Sequence, residues 1–304
     1  MNRRRKLYLL ALGCALGAAS NLLADGPTFT ALDFPGASST QAWGINPGGD
    51  IIGFYVSADK ATHGFLKSRG EFSSIDFPGA AYTEVNGISP HGDVIGDYAA
   101  TLTGSGPHHG FVLSRDGVFT TIDYPASTSS FAWGMNSRGD ILGSYTFADN
   151  VNHNFVMGAN PFSAIGQYTT LDDVPNATAT VVVAINGREI VGGYTAADKV
   201  THGFVLSDGQ LTTIDGPGSP TFTNVAGANS RGEMVGRYTV NGVNHGYLLS
   251  GGQLNTIDYP GATFTGSTAI SPNGDIVGRY RDSNNVFHGF LLVGFRLGCV
   301  STGS

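Results

Sequence analysis

Six histidines and six aspartates recur along the 304-residue chain, and their types could serve metal binding or acid–base chemistry. The histidines are His63, His109, His153, His202, His245 and His288; the aspartates are Asp33, Asp76, Asp123, Asp172, Asp215 and Asp258. Hairpin arithmetic gives them another task. The two-residue turn Arg69-Gly70 sets Ser68 opposite Glu71, and therefore His63 opposite Asp76. The same count across Asp208-Gly209 pairs His202 with Asp215, and across Gly251-Gly252 pairs His245 with Asp258. The three-residue turn Arg115-Asp116-Gly117 still brings His109 to Asp123. Short turns containing glycine favour tight hairpins, and directly opposed residues sit close enough to interact. Structural His–Asp pairs are therefore expected, one per repeat, with His288 meeting Asp33 across the two ends of the chain.

The elements that must position these residues are repeats. A T-I-D-[FY]-P-G landmark carries the aspartates. A second, G-I-N-x-x-G-D-I-V-G-x-Y, closes on Tyr55, Tyr98, Tyr145, Tyr194, Tyr238 and Tyr280, and H-G-F follows it. Repeat starts at Phe29, Phe72, Phe119, Tyr168, Leu211 and Leu254 are 43, 47, 49, 43 and 43 residues apart. The first unit divides into four strand-like pieces at Thr40–Asn46, Asp50–Ser57, His63–Ser68 and Glu71–Asp76, with turn residues between them. Nothing beyond the N-terminal segment has helical periodicity. Four short strands at this period predict an all-β, six-bladed β-propeller of four-stranded blades. A β-helix or sandwich is the alternative architecture. The chain starts with an orphan fourth strand, Phe29–Asp33, and ends on a third, His288–Val293, so the N-terminal strand is expected to complete the last blade and remove its open edge. The remaining tail could instead supply its own strand.

In such a ring the histidine-bearing third strands lie ~15 Å apart, given ~4.8 Å between neighbouring strands. Zinc needs all its nitrogens within ~2.1 Å, so no shared metal is expected. His108-His109 is a local doublet, but adjacent strand residues point to opposite faces and make no ligand pair. The N-x-x-G-D turns, such as Asn136–Asp140, share residue types with calcium loops but offer one acid each, which suits a plain turn better. No G-x-S-x-G, H-E-x-x-H or phosphate-cradling glycine loop is present, and no catalytic residue or cofactor is expected. The glycines of I-V-G and H-G-F are expected to allow close packing between blades. The repeats differ where the first strand of each unit reaches the central mouth: Gln41, Glu84, Phe131, Val181, Asn224 and Gly266, and two residues on Trp43, Asn86, Trp133, Val183, Ala226 and Thr268. Polar groups mixed with two tryptophans suit a small ligand or a sugar; Gln41, Trp43, Glu84, Asn86, Trp133 and Asn224 are the candidate binding residues. Tryptophans wedged between blades, with the polar groups holding channel water, are the structural alternative.

Composition narrows the classes. Glycine contributes 45 residues and only 13% are charged, which suits tight turns and closely packed strands rather than a disordered chain. Arg3–Lys6, the apolar Leu7–Gly17 and the small residues at Ala18-Ala19-Ser20 or Leu22-Leu23-Ala24 predict a signal peptide over residues 1–24. A retained anchor and lipidation at Cys14 are alternatives, the first opposed by a short apolar run and the second by the lack of leucine three residues before the cysteine. Removing residues 1–24 deletes four cations and no acid, which takes the formal charge from −7 to −11. That acidity, without a basic run, argues against nucleic acid. Cys299 would then be the remaining cysteine, so no intramolecular disulfide forms. The domain division is thus 1–24, a propeller over 28–297 and a tail over 298–304, with no membrane span after cleavage.

The three landmarks together resemble the HAF family of extracellular repeats, with its G-I-N turn, V-V-G strand and H-A-F-L strand. The resemblance covers Phe29 to about Leu292. Glycine stands here for the family's alanine, as in His63-Gly64-Phe65 and His202-Gly203-Phe204, and one repeat reads His153-Asn154-Phe155. The resemblance implies an extracytoplasmic setting, secreted or periplasmic, and carries no catalytic residue. The expectation is a secreted, non-catalytic binding module, with carbohydrate or protein as partner at the loop face. A hydrolase or lactonase using Glu84 in the mouth, and a purely structural envelope protein, are the alternatives.

Overall fold

A computed structural model describes residues 27–149, 151–158, 168–171 and 174–295. Among them the regular structure is entirely β. After β1 (Thr28–Leu32) come β2 (Ser39–Ile45), β3 (Ile51–Val56), β4 (Thr62–Ser68) and β5 (Glu71–Ile75), then β6 (Tyr82–Ile88), β7 (Val94–Ala99), β8 (His108–Leu113) and β9 (Phe119–Ile122). The third set is β10 (Ser129–Met135), β11 (Ile141–Thr146), β12 (Asn152–Met157) and β13 (Tyr168–Leu171); the fourth is β14 (Ala179–Asn186), β15 (Glu189–Thr195), β16 (Thr201–Ser207) and β17 (Gln210–Ile214). β18 (Phe222–Ala228), β19 (Met234–Val240), β20 (Val243–Ser250) and β21 (Gln253–Ile257) precede β22 (Phe264–Ile270), β23 (Ile276–Arg281) and β24 (Phe287–Val293). Each set is an antiparallel meander. Single parallel bridges, Thr201 to Phe222 and Asn244 to Phe264, join the last three sets into one twelve-stranded sheet. The signal-peptide segment, the tail over 298–304 and Asp172 lie outside the described residues.

The N-x-x-G-D turns hold the hairpins between first and second strands. The Asp50 backbone N–H donates to Asn46 Oδ1 at 2.9 Å, and Asn46 Nδ2 donates to Asp50 Oδ2 at 2.9 Å. Asn136 and Asp140 repeat this at 3.0 and 2.8 Å, so these side chains are consumed by the turn. From the H-G-F position Phe65, Phe111, Phe155, Phe204, Tyr247 and Phe290 point into the sheet interiors and are the largest fully or almost fully buried side chains. Burying each contributes about 1.5–3 kcal/mol.

The two glycine landmarks do different work. A Cβ on Gly64 would sit 2.5 Å from Val85 in the next set, and one on Gly289 would meet the backbone of Ala42, so the H-G-F glycines admit the neighbouring sheet. The I-V-G glycines were expected to do the same, and here the structure differs. A Cβ on Gly143 would lie 2.2 Å from the Phe131 carbonyl oxygen and 2.4 Å from the Phe155 ring, both within its own sheet. These glycines let a bulged first strand and a third-strand aromatic close on the second strand.

The remaining landmarks build an aromatic column. Phe34 stacks on Tyr55 with centroids 3.7 Å apart, Phe77 on Tyr98 at 3.6 Å, Tyr124 on Tyr145 at 3.6 Å and Tyr259 on Tyr280 at 3.6 Å. The ring of D-[FY]-P thus docks on the tyrosine of the following set. That tyrosine in turn stacks on the histidine: Tyr55 on His63 at 5.1 Å and Tyr280 on His288 at 5.0 Å.

β1 pairs with β24 from Thr28–Val293 to Leu32–Gly289, so the N-terminal strand is the fourth strand of the last set. Thr268 Oγ1 also donates to the Ala42 carbonyl at 2.9 Å, joining the last set to the first. The first strands of all the sets line one narrow central channel, of which Trp43–Ile45, Asn86–Ile88 and Trp133–Met135 form one half.

Candidate functional site

The six-fold histidines do not converge. His63 Nδ1 lies 2.7 Å from Asp76 Oδ1, His109 2.9 Å from Asp123, His202 2.7 Å from Asp215, His245 3.0 Å from Asp258 and His288 2.8 Å from Asp33. The pairs are partly exposed and spread around the periphery. Among the described residues no group of three metal-ligating side chains occurs.

The chemistry gathers at the central mouth, where a cavity of about 350 Å³ opens into a channel of about 140 Å³. Trp43, Trp133 and Asn224 line the cavity, and Asn86 lines the channel beside both tryptophans. Gln41 stands behind the wall and accepts a hydrogen bond from Arg279 Nη1. Trp133 stacks on Phe131 at 5.5 Å and donates its Nε1 proton to Ser144 Oγ at 2.9 Å. The Arg279 guanidinium lies 4.8 Å from the Trp43 ring.

Glu84 faces Asp97 directly across the β6–β7 ladder. Asp97 is fully buried and bound on both oxygens: Asn86 Nδ2 donates to Oδ1 at 2.8 Å, and His108 Nδ1 lies 2.7 Å from Oδ2. His108 Nε2 is 2.6 Å from the Gly104 carbonyl. Acceptors at both ring nitrogens require a proton on each, which describes an imidazolium. Burial works against that charge, but the hydrogen bonds to Asp97 and Gly104 and the nearby Asp97 and Glu84 charges hold the His108 pKa above its ordinary value. The Glu84 carboxyl is pushed up to about 7, chiefly by burial and then by the Asp97 carboxylate, against smaller pulls from Tyr82, His108 and Arg279. Burial, then Glu84, raises the Tyr82 hydroxyl as well.

Arg237 and Arg279 line the cavity, whereas Glu84 and Asp97 are not among its lining residues. Burial lowers the pKa of each, and the Arg237 charge adds to it at Arg279, which falls to about 10; both stay charged at neutral pH. Asp97, His108, Tyr82, Arg237 and Arg279 were not singled out in the sequence. Asp97 and the two arginines occupy the x of I-V-G-x-Y, which reads Phe54, Asp97, Ser144, Gly193, Arg237 and Arg279 and pairs across the ladder with Gln41, Glu84, Phe131, Val181, Asn224 and Gly266. Its variation within a constant frame was the available signal. His108, set aside as half of a doublet, points away from His109 and thereby reaches Asp97.

No family model and no curated protein matches the chain. Solved structures do. A mutant of AofleA from Arthrobotrys oligospora is 15% identical with a TM-score of 0.55, covering 90% of this chain and 88% of that one. The Aleuria aurantia lectin in complex with Fucα1-6GlcNAc is 12% identical with a TM-score of 0.51, covering 84% and 91%. The propeller domain of the Trilobed protease from Pyrococcus furiosus is 9% identical with a TM-score of 0.52, covering 85% and 96%. At these identities the likeness is one of architecture: the chain has a β-propeller fold whose neighbours include lectins and a protease domain.

Proposed function

We propose that the chain is an exported six-bladed propeller, closed by its N-terminal strand, that binds a saccharide in its central mouth without transforming it. The reading takes each four-stranded meander as a blade, residues 1–24 as a signal peptide and the repeats as HAF-type extracellular repeats. The mouth cavity is the observation that carries it: Trp133 lines it together with the amide of Asn224 and two guanidiniums that lie over Phe222 and Trp43. Rings offer apolar sugar faces a surface, while fixed polar groups set orientation. Lectins among the structural neighbours favour the same reading. Calorimetric titration of the mature protein against neutral and acidic oligosaccharides tests it. Binding without turnover, weakened at least about tenfold by Trp133→Ala, is the expected result, a loss of about 1.4 kcal/mol. Failure of every saccharide to bind would reject it.

A second reading rests on Glu84. A carboxyl held near pH 7 beside an ionised partner is suited to proton transfer. It would make the mouth a hydrolase or lactonase site. Turnover of any glycoside or lactone by the purified protein, abolished in Glu84→Gln, would replace the binding reading with this one.

A further inference from the structure

Arg237 and Arg279 both line the mouth, and neither forms a close ion pair; Glu84 acts on Arg279 only at longer range. Each offers five N–H donors in a planar fork. Arg237 Nη1 donates to Asn244 Oδ1 at 2.6 Å, and Arg279 Nη1 to Gln41 Oε1; both acceptors are neutral amides. Among the described residues no carboxylate lies within 4.0 Å of either guanidinium. The nearest acids are otherwise engaged, Asp97 with Asn86 and His108, and Glu84 with Tyr82. A partly buried cation without a counter-charge is costly to maintain.

The two arginines are also held as a pair. Both guanidiniums lie 5.7 Å from the centroid of the Phe264 ring, Arg237 lies 4.1 Å from that of Phe222, and Arg279 lies 4.8 Å from Trp43. A Cβ on Gly266 would crowd the Phe264 ring at 3.2 Å, so the glycine leaves that ring room beside the guanidiniums. Aromatic rings thus fix the forks, and several donors remain for something the protein does not supply.

We propose that the ligand of this mouth is an acidic saccharide whose carboxylate or sulfate group is bound between Arg237 and Arg279. Planar guanidiniums match oxyanions bidentately, and Trp133, which lines the same cavity, takes the sugar body. The proposal rests on the saccharide-binding reading above and sharpens it.

The test uses the mature full chain and three probes: trigalacturonate, its neutral counterpart galactotriose, and inorganic sulfate. Calorimetry should find trigalacturonate at least about tenfold tighter than galactotriose, with affinity falling as salt rises from about 50 to 500 mM. Arg237→Gln and Arg279→Gln should each remove that advantage, and melting curves should show both variants folded. If a variant fails to fold, the wild-type preference and its salt dependence still decide. Equal, salt-independent binding of the acidic and neutral trimers would overturn the acidic-ligand inference and leave the saccharide reading intact. Arginine-dependent sulfate binding with neither sugar bound would overturn the saccharide reading and keep the anion site. Silence from all three probes would overturn both.

Discussion

At the scale of single residues, a cation pair lines the mouth and an acid pair faces across the β6–β7 ladder, and the acids make the sharper prediction. Glu84 has an ordinary pKa of 4.5 and is held up to about 7 in the folded chain, first by burial and then by Asp97. Between those values the folded protein keeps a proton that the unfolded chain has released. Stability therefore falls as pH rises from about 4.5 to 7 and stays lower above it. The upper bound on this loss is about 3 kcal/mol, at 1.36 kcal/mol per pH unit. His108, also raised, loses its own contribution as pH climbs through its folded value, so the slopes share a sign. Glu84→Gln removes the first and weakens the second, because the Glu84 charge helps hold His108 up. Its melting temperature should match or trail wild type near pH 4.5 and exceed it at pH 8, when both are followed by circular dichroism. Parallel melting profiles would mean that Glu84 titrates like an exposed carboxyl.

At the scale of the strand, the glycines of I-V-G specify the sheet. Gly143→Ala would force a Cβ against the Phe131 carbonyl and the Phe155 ring, an overpacking worth about 3 kcal/mol. Gly79 is a turn glycine at φ +83° with open space around it, so Gly79→Ala should cost only the left-handed conformation, about 1 kcal/mol. Urea denaturation should rank Gly143→Ala well below Gly79→Ala, and the reverse order would refute the in-sheet account of these glycines. The same glycines mark what the sequence could not disclose. The His–Asp register was legible because two- and three-residue turns leave no freedom in the count, and the four-strand units were legible from their turns. The mouth was only half legible. Counting back from the Ile45–Ile51 pair along a regular ladder puts Phe54 opposite Ala42, and gives every x of I-V-G-x-Y the wrong first-strand partner. A bulge between Ala42 and Gly44 shifts the register so that Phe54 faces Gln41. Equivalent first-strand bulges at Val85–Gly87, Val225–Gly227 and Ser267–Ala269 bring Glu84, Asn224 and Gly266 opposite Asp97, Arg237 and Arg279. A one-residue slip exchanges the two faces of a strand, and no residue type announces this bulge.

At the scale of the molecule, the ring depends on a strand borrowed from the far end of the sequence. β1 covers the edge of β24, Asp33 reaches His288 at 2.8 Å, and Leu32 belongs to the same buried cluster as Ala42, Phe65 and Val277. Removing residues 28–33 would open a hydrogen-bonding edge and uncover part of that cluster, and an exposed edge invites pairing with other chains. The truncated protein should melt well below the parent and elute as oligomers on size exclusion. That result alone would not separate lost closure from lost mass, but the register provides a control. Val293 is opposite Thr28 as Ser68 is opposite Glu71, and a two-residue turn joins the latter pair. A circular permutant that links Val293 to Thr28 through Asn-Gly, with new termini at the exposed Gly36, therefore rebuilds the last sheet as an ordinary hairpin. It should be monomeric and melt far nearer the unpermuted chain than the truncation does, because the strand pairing is kept and the loss is confined to the Phe295 contact with the last cluster. A permutant as unstable as the truncation would show that the segment from Gly36 to Ser39, and not the strand pairing, holds the ring closed.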